Sequence, residues 1–564
     1  MIKIEFTQID NSDKKKREKY SDIENFFSKN KCKEGKILVL YGLRRTGKTT
    51  LIEQVLDNYD DKSAVYYQVT KNDTTNDINR AIIDAKHRGI KMICFDEITK
   101  AADFIENSAI LSDIFAKQGI NIIVSGTDSL GFVFAEESEL YDRIIKIRTT
   151  HIPFAEHCEV LGQNDMDDYI QYGGLMKKGE PEDRIVNDYD SACKHLDSAV
   201  ADNIAHSLAN SDKHSALSKL FEDELRLLIK KIVERYSGKF DSKNIQNQIC
   251  KVSVNFPIKK LTETDIDEKL LDNLILEKDN IKKDFLEVLN ISGKFHTEIT
   301  DDIVYEAIRY LFDMDLLSVT PQTTFVFDDI LGWREGERTH EYYIIQPAIK
   351  YYFLSEGKNF IETKSYYKDL TSSQKEFMKT KLDEQIKGLM TEQIVIFDVQ
   401  KDLRKTSYEV CKPVFKKGTN SLGEYDMLIY DASKNSYWAF EIKHSTEPYF
   451  KQEGHLANSF LQNVIDKKYG RRENVAVLYR GNPFKSETGT YYFNITDFLT
   501  AIHKYKNLDL VFNTLSKDIC EKSIYPDKIE EHDKSVIQPQ NMTSESNVSL
   551  SKKPIKNRDD DWER

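Results

Sequence analysis

The sequence has few cysteines, no long apolar run and no excess of basic residues, and each shortage excludes a class of protein. Its seven cysteines form no CxxC pair and no zinc-ligand spacing, which excludes a disulfide scaffold and indicates reduced thiols in the cytoplasm. No run of about 18 apolar residues exists, and the N-terminal segment has no apolar signal-peptide core, so we expect neither a membrane span nor a leader. The formal net charge of −13 excludes a globally basic nucleic-acid coat but leaves local basic patches open.

The composition that is present is that of a globular α/β protein with several domains. The chain of 564 residues is 40% hydrophobic and 31% charged, and this length predicts three or four domains at about 150 residues each. Short apolar runs alternate with amphipathic stretches in the first part, which predicts a parallel sheet covered by helices. The predicted strands are residues 36–41, 64–69, 92–95, 121–125 and 144–148. We predict domains over residues 1–185, 186–355 (mainly helical) and 356–520 (mixed α/β), and a polar, disordered tail over 521–564.

A phosphate-binding loop follows the first predicted strand. The segment from Gly42 to Thr49 fits the pattern G-x-x-x-x-G-K-[ST], and a helical pattern follows it. In such a loop the backbone N–H groups surround phosphate oxygens, Lys48 reaches the β- and γ-phosphates, and the Thr49 hydroxyl holds Mg²⁺. The residues predicted to bind ATP here are Gly42, Arg44, Arg45, Thr46, Gly47, Lys48, Thr49 and Thr50.

An acidic pair at the end of a later strand completes the predicted nucleotide site. Asp96 is predicted to hold the metal shell together with Thr49, and Glu97 to act as the general base for the attacking water. The same pair could also be a solvated loop start. One predicted strand lies between the two motifs in sequence, which favours an additional-strand ATPase over a small kinase or a GTPase.

Two further residues have open roles. Thr127 follows the strand of residues 121–125, and its hydroxyl either senses the γ-phosphate or belongs to a plain turn. Arg143 opens the next strand and is either an arginine finger acting on a neighbouring subunit or a surface arginine. The finger requires a homo-oligomer.

A second group of chemically active residues lies in the third block. Glu392 is on a helical stretch, Asp426 is in a strand, and Glu441 and Lys443 share one face of the next strand because side chains alternate. A hairpin would bring Asp426 beside the other two. Two carboxylates, Asp426 and Glu441, can then hold Mg²⁺ or Mn²⁺, and Lys443 can orient water or neutralise developing charge. The E-x-K pattern alone is also typical of a cross-strand salt bridge.

Two basic runs and three histidines are interpreted without a catalytic role. The basic run 467–472 either contacts nucleic-acid phosphate or is a solvated helix end. The run 14–17 is predicted to be a charged loop, and His151, His157 and His444 to be structural or surface residues because they lack metal-ligand spacing.

These motifs together resemble a family of prokaryotic AAA-like ATPases, relatives of the archaeal-type ATPases, whose C-terminal part is a nuclease-like domain of uncharacterised function. The matching stretches are residues 42–51, 95–98, 124–129, 141–143, 153–156, 169–174 and 342–347. The set Glu392, Asp426, Glu441 and Lys443 resembles the PD-(D/E)XK nuclease core. The resemblance also implies a winged-helix-like region around residues 300–321. One departure is Asp142, which stands where the family pattern has glycine before the arginine.

The resulting functional expectation is a Mg²⁺-dependent, ATP-hydrolysing protein that couples ATP to a transaction on DNA or another nucleic acid. Prokaryotic defence is the role implied by the resemblance. Two alternatives stay open: an ATP-driven switch whose nuclease-like domain only binds, and an interaction protein that binds ATP without turnover. A protein partner is compatible with each.

Overall fold

The computed structural model describes most of the chain between residues 1 and 519. The described residues are 1–4, 14–28, 35–60, 62–101, 103–104, 111, 115–127, 143–176, 185–209, 215–237, 297, 299–363, 367–368, 370–448, 450–517 and 519. The predicted tail over 521–564 lies outside them, as do Asp142 and the stretch 128–129. None of the helices in the described ranges combines the length and the apolar character that crossing a membrane requires.

Within the described residues the first sheet has six strands, and five of them run parallel. The strands are β1 Ile2–Ile4, β2 Ile37–Tyr41, β3 Ala64–Gln68, β4 Met92–Asp96, β5 Asn121–Gly126 and β6 Ile144–Arg148. Ile37 and Val39 of β2 face one apolar core, and Leu38 and Leu40 face the other, because successive side chains alternate. Burial on both faces explains why this strand is apolar throughout.

The strand order decides where the motifs meet. The order is β1-β3-β4-β5-β2-β6, so β5 lies between β2 and β4, which carry the two nucleotide motifs. This is the additional-strand arrangement that the sequence predicted. Since β2, β4 and β5 are parallel, their carboxyl ends lie at one edge of the sheet. The phosphate loop, Asp96 and Ser125 are therefore neighbours.

Helices cover the first sheet and form the middle of the molecule. They are α1 Lys19–Ser28, α2 Lys48–Leu56, α3 Thr75–His87, α4 Phe154–Leu161, α5 Met166–Tyr172, α6 Tyr189–Leu196, α7 Asp202–Ala209, α8 Glu222–Ser237, α9 Asp301–Asp313 and α10 Pro347–Thr363. Thr74 begins α3 with a capping box in which its side chain and that of Asp77 satisfy each other's backbone N–H groups. Helices α6 to α10 share one apolar core, which also contains Leu43 of the phosphate loop.

The second sheet joins the middle and C-terminal parts of the chain. Its strands in the described residues are β7 Leu317–Asp328, β8 Gly332–Ile344, β9 Tyr408–Lys417, β10 Asn420–Glu424, β11 Met427–Asp431, β12 Ser436–Ile442, β13 Arg471–Tyr479, β14 Phe484–Lys485 and β15 Tyr491–Asn494. The order is β14-β15-β13-β12-β11-β9-β7-β8, with β10 paired to β9. Its helices are α11 Ser372–Leu403, α12 Ser459–Tyr469, α13 Ile495–Tyr505 and α14 Leu508–Leu515. The β7–β8 hairpin thus extends the sheet across the predicted boundary at 355/356, which stays a prediction.

Candidate functional sites

The phosphate loop has a backbone that only glycine can supply at its first position. Gly42 has a φ of 144°, and a Cβ atom there would lie 2.1 Å from the carbonyl oxygen of Thr149. Lys48 is 5% exposed, and its ammonium donates to the carbonyl oxygens of Gly42 and Leu43, both at 2.8 Å. Burial, aided by the charge of Arg44, lowers the pKa of Lys48 to about 8, although Glu97 and Asp96 oppose the shift.

The other loop residues divide into buried and exposed groups. Thr46 is buried, donates to the carbonyl of Leu43 at 2.8 Å and shares a hydrogen bond with the hydroxyl of Thr149 at 2.8 Å. Arg44 and Arg45 are exposed, so their guanidinium groups are accessible to a ligand. Gly47 and Thr50 flank Lys48 and Thr49 at the start of α2, whose free N–H groups favour an anion.

The acidic pair meets the loop as the strand order requires. Thr49 donates its hydroxyl to Asp96 at 2.8 Å, and Tyr66 donates to the same carboxylate oxygen at 3.1 Å. Ser125 at the end of β5 donates to the other oxygen of Asp96. Asp96 is therefore held by three hydroxyl groups from three different strands or helices. A carboxylate fixed this way beside Thr49 is placed to complete a Mg²⁺ shell.

Glu97 and Thr127 form a separate contact next to Asp96. Thr127 donates to the Glu97 carboxylate at 3.1 Å, and Glu97 has a φ of 57°, in the left-handed region. Asn203 on α7 donates to the carbonyl of Thr127 at 3.2 Å, which ties this contact to the middle helices. A strained backbone that another element holds in place is typical of functional sites. The hydroxyl of Thr127 thus aligns the predicted general base, while Ser125, which carried no separate prediction, contacts Asp96.

Arg143 lies away from this pocket within its own chain. Its carbonyl accepts the N–H of Ile37 at 3.0 Å, at the amino-terminal ends of β6 and β2. The phosphate loop follows the opposite end of β2. The span of β2 is roughly 16 Å at about 3.3 Å per residue, so Arg143 does not reach the phosphates of the same chain. Its predicted role on a neighbouring subunit stays a prediction.

The second predicted group assembles at the ends of β11 and β12. The ammonium of Lys443 lies 2.9 Å from Asp426 and 2.7 Å from Glu441, and the N–H of Ile442 donates to Asp426 at 2.8 Å. The antiparallel β11–β12 pairing brings them together, as predicted from the alternation. Burial raises the pKa of Glu441, the nearby Asp426 raises it further, and Lys443 opposes the shift.

Glu392 is on α11, as predicted, but its partner is a lysine that sequence reasoning did not identify. The ammonium of Lys412 on β9 lies 2.5 Å from Glu392 and 3.2 Å from Glu424. Lys412 is 1% exposed, and four carboxylates, led by Glu392, hold its pKa well above the ordinary value despite burial. A buried lysine paired in this way is invisible in a linear motif.

The second group places two carboxylates, those of Asp426 and Glu441, beside one ammonium. Glu441 is 3% exposed, and its Oε1 atom has no hydrogen-bond partner among the described residues. A buried carboxylate oxygen without a partner is costly unless a cation or a proton completes it. Asp426 and Glu441 therefore fit the oxygen-rich site that Mg²⁺ or Mn²⁺ prefers.

The comparison with known families bears on the first site. Residues 34–158 match the family model described as an AAA domain. This AAA domain and its P-loop support ATP binding and hydrolysis by the first part of the chain.

Comparisons with solved structures and curated proteins do not identify an activity for the whole chain. The chain is similar to the solved S. cerevisiae Hsp104-ADP complex at 12% identity and a TM-score of 0.24, with 71% of this chain and 61% of that chain covered. The chain thus spans less than two thirds of that protein, and at this TM-score the likeness has no bearing on activity. No curated protein matches the sequence.

Residues 14–16 lie in an exposed charged loop, as predicted, but the structure corrects this interpretation for Arg17. Arg17 is 4% exposed and bonds both oxygens of the buried Glu156, at 2.9 and 2.7 Å. The same guanidinium donates to the carbonyl oxygens of Thr46 and Thr150, at 2.6 and 3.1 Å. Arg17 therefore holds the phosphate loop of the AAA domain in place through its contact with Thr46. No sequence motif marks it, because its partners are far away in the chain.

Two histidines also have partners that the sequence did not predict. Glu18, Asp402 and His503 offer ligand atoms within 4.8 Å of one another. However, Lys506 lies 3.0 Å from Glu18, and Lys401 lies 3.7 Å from it, so this group is already neutralised as an ion-pair cluster. His444, next to Lys443, contacts charged side chains from other segments of the chain.

The basic run 467–472 is largely engaged in contacts within the chain. Lys468 pairs with Glu335, Arg471 lies 2.6 Å from Glu473, and Arg472 donates to the carbonyl of Leu456 at 3.0 Å. Lys467 is exposed at the end of α12. These contacts favour the helix-end interpretation for most of the run.

Proposed function

We propose that the chain is a Mg²⁺-dependent ATPase that controls a nucleic-acid-cleaving site in its C-terminal part. The AAA domain supplies the ATPase. The finer assignments are ours: a PD-(D/E)XK nuclease-like C-terminal domain, a winged-helix-like middle region, DNA as the substrate and a role in a prokaryotic cytoplasm.

In the ATPase site each side chain has a distinct task. Lys48 leaves its carbonyl partners to neutralise the β- and γ-phosphates, and Thr49 with Asp96 holds the metal shell. Glu97, aligned by Thr127, accepts the proton of the attacking water. Bound Mg²⁺ supplies charge neutralisation at the phosphates.

In the C-terminal site the residues are arranged for phosphodiester hydrolysis. Asp426 and Glu441 would hold the cation, and Lys443 would stabilise negative charge on the phosphorus oxygens once a substrate replaces its contact with the carboxylates. The cation supplies Lewis acidity. Glu392 on α11 stands at the position that the resemblance implies for an acidic residue of this core, and the Lys412 ammonium lies 2.5 Å from it.

One observation carries the proposal: the unpartnered, buried Oε1 of Glu441 beside Asp426 and Lys443. A divalent cation between the two carboxylates would complete this oxygen. The close pairing of Lys443 with both carboxylates favours a second candidate. In that case the group is a neutral structural network, and the protein is an ATP-driven switch that only binds nucleic acid.

Cleavage of plasmid and single-stranded DNA, with Mg²⁺ or Mn²⁺ and with or without ATP, distinguishes the two candidates. Variants Lys443→Ala and Glu441→Gln are expected to lose cleavage and keep ATP hydrolysis. Glu97→Gln is expected to bind ATP with at least about 100-fold slower hydrolysis. Asp190→Asn, an exposed charge removal on α6, serves as the matched control.

The outcome assigns the function. Cleavage that disappears in Lys443→Ala and changes with ATP only when Lys48 is intact supports an ATP-controlled nuclease. ATP hydrolysis without cleavage under any of these conditions would rule out the nuclease and leave the switch.

A further inference from the structure

Three basic residues gather beside the proposed cleavage site. Lys387 lies on α11 one turn before Thr391 and Glu392, His444 directly follows Lys443, and Arg480 follows β13. We call this group the basic triad. Its side chains are between 16% and 20% exposed, so it opens to solvent.

The carboxylate of Asp167, from the first part of the chain, lies between these three side chains. Asp167 on α5 lies 2.9 Å from Lys387, 3.1 Å from His444 Nε2 and 2.5 Å from Arg480. Asp165, at the start of the same helix, lies 3.5 Å from Arg480. All three side chains therefore converge on one acidic group that is more than 270 residues away from His444 in sequence. Arg480 also lies 3.0 Å from Nε2 of His444.

The geometry of the triad is built rather than incidental. Thr391 shares a 2.8 Å hydrogen bond with Nδ1 of His444, which turns Nε2 toward Asp167. Lys387 is also held by Asp383 at 3.1 Å. Burial alone would raise the pKa of Asp167, but hydrogen bonds from His444 and Lys387 and the charge of Arg480 hold it well below its ordinary range. Asp167 is thus firmly ionised where a phosphate would bind.

We propose that the basic triad is a phosphate-binding site for the nucleic-acid backbone, and that Asp167 blocks it by standing in for a phosphate. The inference rests on the proposed function, because the triad flanks Lys443 and Glu392. An arginine, a lysine and a histidine converging on one anion are the donors that bind phosphodiester oxygens. A carboxylate supplied by the same chain then competes with the substrate.

Helix α5, which carries Asp167, is connected to the phosphate loop. Helix α5 ends at Tyr172, and four residues later the N–H of Met176 donates to the carbonyl of Arg45 at 2.9 Å. The side chain of Met176 also lies 3.6 Å from the position of a Cβ on Gly47. The helix that carries Asp167 is therefore anchored to the loop that receives the nucleotide phosphates.

Removal of the carboxylate is expected to increase DNA affinity. Binding of fluorescein-labelled single-stranded and duplex oligonucleotides would be measured by anisotropy in EDTA, which prevents cleavage. We expect Asp167→Asn to bind about 10-fold tighter than wild type, with a salt dependence steeper by about one to two ions. Asp167→Ser, which removes the same charge with a different shape, should give the same gain. Asp190→Asn should match wild type.

A double variant distinguishes exposure of the phosphate-binding site from a general loss of structural stability. In Asp167→Asn with Arg480→Ala the gain should disappear, because the phosphate has lost one of its donors. A gain that persists in the double variant, or no gain in either single variant, would overturn the blocked site. Because binding is read in EDTA, an absence of cleavage with Mg²⁺ would count against the nuclease and not against the blocked phosphate site.

Discussion

At the scale of single residues, burial sets the charge of the lysine in the phosphate loop. Its pKa of about 8 means that about half of the Lys48 side chains are neutral at pH 8 before ATP arrives. The phosphates of ATP favour the charged form.

We therefore expect ATP binding at pH 8 to take up about half a proton and to weaken as the pH rises further. Calorimetric titration in buffers of different ionisation enthalpy measures this uptake. Lys48→Arg stays charged and should bind without uptake. Equal binding enthalpies in all buffers for wild type would contradict the prediction.

A second residue-scale effect concerns a buried aspartate on α11. Asp398 is 2% exposed, accepts the N–H of Ala155 at 3.2 Å, and its Oδ1 has no hydrogen-bond partner among the described residues. Burial, with the charge of Asp402, raises its pKa from 3.8 to about 7. Between these values the folded protein keeps a proton that the unfolded chain releases, so this group's contribution to stability falls as the pH rises to 7.

Asp398→Asn removes that pH dependence. We expect the variant to gain roughly 2–4 kcal/mol of unfolding free energy at pH 8 and almost nothing at pH 4. Denaturant unfolding at both pH values measures the difference, with Asp190→Asn as the control for charge removal. An equal effect of Asp398→Asn at the two pH values would show that burial does not raise the pKa of Asp398.

At the scale of elements, the segment before α1 supports the nucleotide site. Arg17 joins Glu156 on α4 to the carbonyl of Thr46, and the adjacent Glu18 pairs with Lys506 after α13. Burial would raise the pKa of Glu156, but Arg17 lowers it to about 2. This carboxylate therefore stabilises the fold above its ordinary pKa of 4.5, and the contribution is lost as the pH falls toward 2.

Arg17→Ala should leave Glu156 as an unpaired buried charge. We expect a loss of about 3–5 kcal/mol of unfolding free energy at pH 7 together with weaker ATP binding. Arg17→Lys keeps the charge without the two-pronged contact and should fall between wild type and alanine. Thermal unfolding and nucleotide titration measure both effects. A loss below about 1 kcal/mol, the range of a surface pair, would contradict the buried role.

The elements also show what sequence alone could provide. The five parallel strands of the first sheet were predictable because buried parallel strands are continuous apolar runs, whereas the short antiparallel β1 was not predicted. The phosphate loop was predictable because its chemistry lies in eight consecutive residues. The Asp426–Glu441–Lys443 group followed from two-residue alternation in a hairpin. Arg17, Lys412 and Asp167 were not predictable, since each finds its partner only after distant segments have packed.

At the scale of the whole molecule, the position of Arg143 makes assembly testable. It lies at the sheet edge opposite to its own phosphate loop, so an arginine-finger role requires a second copy of the chain. Arg143→Ala should then lower the rate of ATP hydrolysis by roughly 10³-fold with little change in ATP affinity.

Mixing two inactive variants provides the decisive measurement. Lys48→Ala cannot bind the phosphates but can still offer Arg143 to a neighbour, so adding it to Arg143→Ala should restore hydrolysis. Activity that depends on protein concentration would accompany this rescue. If the mixture stays inactive while both variants assemble with wild type, Arg143 is a surface residue.

The β7–β8 hairpin has a practical consequence for any attempt to divide the molecule. Over residues 414–417, β9 is bonded on one side to β10 and on the other to β7. A fragment beginning at residue 356 would lack β7, so the edge of β9 that pairs with β7 would have unpaired peptide groups. Such edges recruit strands from other molecules. The isolated C-terminal part should therefore aggregate, and an inactive fragment would report on its solubility and not on its catalytic residues.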